Sequence, residues 1–87
     1  MKLIEIGYGN SLNAEEVLAV MEPNSAPMKR KIKVAREYDK FIDATEGRKT
    51  LSIIITKKGN VIASAFGTKV IKKRLSLENE WIIRKHK

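Results

Sequence analysis

The sequence has no cysteine and a single histidine, His86, among its 87 residues. Without cysteine there is no disulfide framework, thiol nucleophile or thiolate metal site. His86 is the second-last residue, where chains are usually frayed, so it is poorly placed for a catalytic triad or a metal cluster. We therefore expect no bound metal and no other cofactor.

Long apolar runs and nucleotide-binding motifs are also lacking. No apolar run approaches the ~20 residues that span a bilayer, and the N-terminal segment carries Glu5 and lacks the apolar core of a signal peptide. Gly7-Tyr8-Gly9-Asn10 does not continue as G-x-G-x-x-G, because Leu12 occupies the position of the third glycine. We expect a cytoplasmic protein that is not an enzyme, with no membrane partner and no small-molecule substrate.

Positive charge is abundant and is concentrated in blocks. The net charge is +8. Residues 28–36 carry five cations and no acid, and residues 48–58 carry four cations and no acid, whereas residues 37–47 are net acidic. Basic blocks separated by acidic ones indicate a defined basic face, which suits a polyanion.

Apolar patterning predicts strands at 2–6, 17–21, 41–42, 51–56 and 61–66. Gly7–Asn10 is predicted to form a turn, and Gly59-Asn60 to close a hairpin between the last two strands. We interpret residues 17–21 as a buried strand. A helix is the alternative there, because Glu15 and Glu16 suit a helix N-terminus.

A helix is predicted from about Ala26 to Asp39, because Ser25 can cap it and Pro27 lies in its first turn. At 100° per residue it has an apolar arc made of Met28, Ile32, Val34, Ala35 and Tyr38. The opposite side carries a basic stripe made of Lys29, Lys33, Arg36 and Lys40, with Arg30 beside it. Lys31 falls inside the apolar arc and would have to extend its ammonium group to solvent. The stripe is either a solvated outer face or a phosphate-binding one.

A second, short helix is predicted over residues 69–75, with Val70, Ile71 and Leu75 facing inward. The tail adds a turn or two, and its cluster of Trp81, Ile82 and Ile83 packs on its own domain or on a neighbouring subunit. The predicted fold class is α+β: a small, mostly antiparallel sheet of four to five strands with one main helix and a short C-terminal helix. The predicted domain covers residues 1–77, and residues 78–87 form a C-terminal, helical extension.

The segment 41–50 is the most informative stretch of the chain. Gly47 permits a tight backbone reversal between two predicted strands, so that Arg48 and Lys49 project from a rigid hairpin edge. Cations held in this way suit a phosphate backbone, because little side-chain entropy is lost on binding. A solvated hairpin tip is the alternative.

Few of the five aromatic residues are free to stack on bases. We expect Phe41 and Phe66 in the core and Tyr38 on the apolar side of the helix, which favours duplex DNA over single-stranded RNA. Binding of an acidic protein partner and binding of RNA remain the alternatives.

Five motifs in register carry a family resemblance: Gly7-Tyr8-Gly9-Asn10, residues 25–30 (Ser-Ala-Pro-Met-Lys-Arg), residues 42–45 with 47–50, Val61-Ile62 with Ser64-Ala65, and Arg74-Leu75-Ser76. In order and spacing, over about residues 2–77, the chain resembles the RemA family of small bacterial extracellular-matrix regulators.

The resemblance implies a transcriptional regulator of biofilm-matrix genes that binds double-stranded DNA. It also implies a ring-shaped homo-oligomer, with an octamer as one candidate size, built of LytTR-like subunits. The paired arginines of the family map onto Arg48 and Lys49. Glu16 stands where the family has a further arginine, and Glu46 where it usually has tyrosine. The candidate DNA-binding residues are Arg48, Lys49, Lys29, Arg30, Lys33 and Arg36.

Overall fold

The computed structural model describes the backbone of residues 2–85 and the side chains of residues 2–76. In chain order the elements are β1 (Leu3–Gly7), β2 (Asn10–Asn13), a 3₁₀ turn (Ala14–Glu16), β3 (Val17–Met21), α1 (Ala26–Glu37), β4 (Phe41–Asp43), β5 (Ser52–Thr56), β6 (Val61–Ser64) and α2 (Thr68–Lys85). The predicted packing of Trp81, Ile82 and Ile83 and the position of His86 lie outside the described side chains.

The strands form two sheets, one of four strands and one of two. The four-stranded sheet has the order β3-β5-β6-β4, in which β5 is antiparallel to β3 and β6 while β4 is parallel to β6; β1 and β2 form a separate antiparallel pair. The predicted α+β class and mostly antiparallel pairing are therefore confirmed. The separate two-stranded sheet was not predicted, because β2 reads Asn-Ser-Leu-Asn and lacks an apolar pattern.

The loop that carries Gly47 is not the tip of a hairpin, and that prediction was wrong. Its flanking strands β4 and β5 do not pair, because β6 lies between them. The β5–β6 hairpin forms as predicted, with Ile55 opposite Val61, and β4 then adds in parallel with Phe41 opposite Val61. The loop is therefore a connection that passes one end of the sheet.

The sheet has a packed layer on each face. On one face, Met28 and Ala35 of α1 cover Ile53, Val61 and Ala63. On the other face, side chains from β1 and α2 cover the middle strands, in a cluster made of Ile4, Ile6, Ala44, Ile54, Ile62 and Ile71. Burial of these isoleucines, each worth about 1.5–3 kcal/mol, fixes the order of the layers.

Strand β3 forms where it was predicted, but it is not a buried strand. Leu18 is 66% exposed, and Met21 is also exposed. The reason is its place at the edge of the sheet, with a bulge between Val17 and Ala19. Such bulges are common at sheet edges and disturb the alternation of side chains.

Helix α1 begins as predicted, since the Ser25 hydroxyl accepts a hydrogen bond of 3.2 Å from the Met28 N–H. The predicted apolar arc was too wide. Val34 is 50% exposed and Tyr38 is 72% exposed, because the helix ends at Glu37 and touches the sheet along a narrow stripe only.

Helix α2 runs without a break from Thr68 to Lys85, so the short helix predicted over residues 69–75 and the helical turns predicted for the tail form one continuous helix. Ile71 is fully buried, whereas Val70 is 41% exposed, contrary to the prediction. In the part of the chain that the structure describes, neither helix is long and apolar enough to cross a membrane.

Candidate nucleic-acid interface

Asp43 and Thr45 fix the start of the loop that presents Arg48 and Lys49. The Asp43 carboxylate accepts hydrogen bonds from the Thr45 N–H at 2.9 Å and from the Thr45 hydroxyl at 2.6 Å. This local turn lowers the pKa of the Asp43 carboxyl, chiefly through the hydroxyl and then the N–H of Thr45, with a further contribution from the charge of Arg36. Thr45 is buried, so its packing holds this end of the loop in place.

The backbone then reverses at Glu46 and Gly47, which have φ angles of 51° and 81°. The Arg48 N–H donates to the Thr45 carbonyl at 3.1 Å and closes the reversal. Glycine adopts this conformation freely, as the sequence predicted, whereas glutamate does so at a cost of about 1 kcal/mol. At the far end of the loop, the Leu51 N–H bonds to the Ser64 carbonyl at 2.8 Å. Arg48 and Lys49 therefore project between two fixed points.

The guanidinium group of Arg48 lies over the ring of Tyr8. The central carbon of its guanidinium group is 3.5 Å from the ring centroid, and one terminal N–H donates to the Glu46 carbonyl at 3.2 Å. Arginine has five N–H donors in a fixed fork, so most of them stay available to an anion while the ring contact and this hydrogen bond hold the group.

Tyr8 in turn packs against Phe66, and Arg74 contacts Phe66. The Tyr8 and Phe66 rings are 5.9 Å apart and tilted by 59°, and the Arg74 guanidinium lies 4.8 Å from the Phe66 centroid. A terminal N–H of Arg74 also donates to the Glu5 carbonyl at 2.7 Å. We call Arg48, Tyr8, Phe66 and Arg74 the arginine–aromatic stack. It joins the Arg48 loop, the β1–β2 turn and α2.

Asn10 ties the β1–β2 turn to the Arg48 loop. Its side-chain amide donates to the Gly7 carbonyl at 3.0 Å and to the Ala44 carbonyl at 3.4 Å. Across the same turn, the Gly9 N–H donates to the Glu5 carboxylate at 3.0 Å. The two loops therefore form one structural unit, although more than thirty residues separate Asn10 from Ala44.

The helix cations do not join this unit. Lys29, Arg30, Lys33 and Arg36 are exposed on α1, which packs on the face of the sheet opposite to β1 and α2. Arg36 comes nearest to the loop, because its guanidinium lies 4.2 Å from the Phe41 centroid and its charge acts on Asp43. The structure thus separates the six candidate residues into a loop pair and a helix group.

Three residues of the stack were not predicted to belong to the site. Phe66 was expected in the core; it is half-buried, and its ring contacts both the core and Tyr8. Tyr8 stands between two glycines in a predicted turn, which was the available signal that its side chain is exposed. Arg74 lies in a matching motif, but only the fold brings it to Phe66. Tyr38, expected on the apolar side of α1, is exposed instead.

Glu16 lies far from Arg48 within the chain. The Glu16 carbonyl accepts from the Lys57 N–H at 2.8 Å, so it is next to the end of β5 at Thr56, whereas the Arg48 loop enters β5 at Ser52. A five-residue strand separates its ends by about 14 Å. Glu46, by contrast, is part of the reversal that presents Arg48.

The loop surface exposes two positively charged side chains, those of Arg48 and Lys49. Among the described residues, no group of three or more His, Cys, Asp or Glu side chains is arranged to hold a metal ion. The same part of the chain has no buried side-chain nitrogen or oxygen without a hydrogen-bond partner. Arg48 and Lys49 stand exposed on an anchored loop, and this arrangement suits recognition of a phosphate or carboxylate.

The structure is thus a small α+β domain that presents Arg48 and Lys49 from a loop anchored at both ends. The sequence model of the RemA-like family, described as Extracellular matrix regulatory protein A-like, matches residues 3–75. The chain therefore belongs to the RemA-like family.

Relatives in three bacteria are each named “Putative regulatory protein”. The protein of Brevibacillus brevis is 41% identical over 80 residues, which cover 92% of this chain and 93% of the relative. The protein of Clostridium perfringens is 43% identical over 83 residues, covering 95% and 93%. The protein of Geobacillus thermodenitrificans is 45% identical over 75 residues, covering 86% of each. These names support a regulatory role.

Proposed function

We propose that this chain is a non-enzymatic transcriptional regulator that binds duplex DNA as a ring-shaped homo-oligomer. The observation that carries the proposal is the position of Arg48, stacked on Tyr8 at 3.5 Å and next to Lys49 on a loop anchored at both ends. Cations ordered before binding lose little conformational entropy when they meet phosphates.

The two cations have different chemistry. Arg48 keeps a planar fork that fits two phosphate oxygens, whereas Lys49 supplies a mobile point charge. Both neutralise phosphates and release counterions, which makes binding sensitive to salt. The helix group of Lys29, Arg30, Lys33 and Arg36 lies on another layer and is assigned a secondary DNA contact.

A ring accounts for how so small a patch binds DNA. One subunit offers few phosphate contacts, and repetition around a closed ring multiplies them along a bent duplex. Specificity then comes from DNA shape and deformability. The family description names extracellular-matrix regulation, so we propose matrix and biofilm genes as the targets and the cytoplasm as the location.

Fluorescence anisotropy of a labelled duplex of about 30 base pairs, titrated at several salt concentrations, tests DNA binding. We expect binding to weaken steeply with salt, with a logarithmic slope of about −0.9 for each phosphate contact. Sedimentation velocity measures the oligomeric state of the same samples.

The decisive variant is Arg48→Ala with Lys49→Ala. Its matched control is Lys57→Ala with Lys58→Ala, which removes the same charge from exposed positions at the other end of β5. We expect the Arg48→Ala, Lys49→Ala variant to bind DNA at least about tenfold more weakly than the wild type, with the oligomer intact. Its salt slope should fall by about 0.9 for each phosphate that is no longer neutralised. The control should change the affinity much less.

Other outcomes separate the alternatives. If both pairs weaken binding equally, only net charge matters and Arg48 is not the site. If the first pair dissociates the oligomer, these residues are structural. No binding at low salt favours an acidic protein partner, and a preference for single strands or loops favours RNA.

A further inference from the structure

We infer that Tyr8 is a positioning residue that holds Arg48 in its DNA-binding conformation; the inference rests on the proposed function. Tyr8 is 47% exposed, yet one face of its ring carries the Arg48 guanidinium at 3.5 Å. An exposed arginine otherwise samples many rotamers, and ordering them on binding costs free energy. The Tyr8 ring removes much of that cost in advance.

The backbone at Tyr8 cannot shift easily. Tyr8 has a φ of 53° between Gly7 and Gly9, which also have positive φ. The hydrogen bonds from Asn10 to the Gly7 carbonyl and from the Gly9 N–H to Glu5 hold this turn. The ring is therefore presented from a defined backbone position.

Phe66 packs against the Tyr8 ring and is itself held by two serine hydroxyls. The Ser52 hydroxyl donates to the Phe66 carbonyl at 2.7 Å, and the Ser64 hydroxyl accepts from the Phe66 N–H at 3.0 Å. Both serines are fully buried. The stack therefore leads from the sheet, through Phe66 and Tyr8, to Arg48.

The contact with Arg48 uses the ring face and not the hydroxyl of Tyr8. Phenylalanine at this position keeps the π face, whereas leucine removes it and keeps an apolar side chain. Tyr8→Phe is therefore the conservative variant, and Tyr8→Leu the disruptive one. Neither changes the net charge, so a difference between them does not come from counterion release.

A double-mutant cycle in the anisotropy assay tests the inference. We expect Tyr8→Leu to weaken DNA binding by about two- to fivefold for each contacting subunit, the affinity equivalent of an exposed cation–π contact. Tyr8→Phe should bind like the wild type. In an Arg48→Ala background, Tyr8→Leu should have no further effect, because Tyr8 acts through Arg48.

Several results would overturn the inference while the proposed function stands. An equal loss from Tyr8→Leu with and without Arg48 would mean that Tyr8 contacts DNA independently. No loss from Tyr8→Leu would mean that the ring does not position Arg48. If the wild-type protein does not bind DNA, the proposed function itself is wrong. That result is distinct from an equal loss with and without Arg48, which contradicts only the role of Tyr8.

Nuclear magnetic resonance of the free protein provides a readout without DNA. Ring-current shifts should move the Arg48 side-chain δ protons upfield in the wild type and in Tyr8→Phe, and this shift should be absent in Tyr8→Leu. Unshifted protons in the wild type would contradict the inference. If circular dichroism shows Tyr8→Leu to be unfolded, Tyr8→Met replaces it in the cycle, since it also lacks the π face.

Discussion

The hydroxyl of Ser64 donates a hydrogen bond of 2.5 Å to the carbonyl of Ile6, 58 positions away in the chain. Ser64 ends β6 in the four-stranded sheet, and Ile6 lies in β1 of the two-stranded sheet. The same hydroxyl oxygen accepts from the Phe66 N–H. The buried Ser64 side chain therefore joins the two sheets. It also anchors Phe66, the residue that packs against Tyr8.

Replacement of Ser64 by alanine should destabilise the domain by about 2 kcal/mol, because it leaves the Ile6 carbonyl and the Phe66 N–H without this partner. Urea denaturation measures the loss as a lower midpoint with an unchanged slope. Ser11→Ala, at an exposed position of β2, is the control and should change stability by less than about 0.5 kcal/mol. Equal effects of the two changes would refute the bridging role.

The hydrogen bonds to Asp43 predict a dependence of stability on pH. Its pKa in the folded protein lies below the ordinary value of 3.8, so the carboxylate stabilises the fold above the unfolded-state pKa. This contribution is lost as the pH falls through the lower, folded-state pKa. The wild type should therefore exceed Asp43→Asn in stability at pH 7, with a difference that shrinks as the pH falls below the ordinary pKa of 3.8. A difference constant with pH in urea denaturation would contradict this.

Arg74 should contribute to stability through its hydrogen bond to Glu5 and its contact with Phe66. Arg74→Ala removes both and should cost about 1–2 kcal/mol in denaturation experiments. Lys73→Ala removes the same charge at an exposed neighbouring position and should cost much less. Arg74→Lys should recover only part of the loss, because lysine lacks the planar fork. Full recovery by lysine would mean that charge alone matters.

The negative charge of Glu46 should weaken DNA binding. Its left-handed backbone conformation should lower the stability of the folded domain. Glu46→Gln removes a negative charge two residues from Arg48 and should strengthen binding about two- to threefold at low salt, with a smaller gain at high salt. Glu37→Gln, on α1, is the control for net charge. An equal gain from both would show that the location of Glu46 is irrelevant.

Asparagine at position 46 tests the backbone strain separately. Its side chain tolerates the left-handed conformation that Glu46 adopts at φ 51°. Glu46→Asn should therefore raise the free energy of unfolding by about 0.5–1 kcal/mol relative to Glu46→Gln, which has the same charge. No difference between the two variants would mean that this backbone position is not strained.

Local chemistry made much of the fold predictable. Ser25 caps α1 as expected, and the β-branched run before Gly59 forms the hairpin with β6. The reversal at Gly47 forms where glycine allows it. These features depend on neighbours within a few residues, and so the sequence carries their signals directly. The division into a domain of residues 1–77 and an extension of 78–87 stays a prediction.

The site was less predictable, because it depends on which elements become neighbours. The parallel pairing of β4 with β6 turned an expected hairpin tip into a connection across the end of the sheet. The packing of α1 on the opposite face separated Lys29 and Lys33 from Arg48. Exposure of Tyr38 likewise depends on the point at which α1 leaves the sheet.

By itself, the sequence determined the α+β class, the net positive charge of the chain and the backbone reversal at Gly47 that precedes Arg48 and Lys49. Composition, propensity and turn chemistry carry these signals because they act over short distances. Only the tertiary structure decided that Arg48 lies on Tyr8, Tyr8 against Phe66, and Phe66 under Arg74. These contacts join residues from three distant parts of the chain. Their order follows from strand pairing and layer packing, which depend on the whole chain at once.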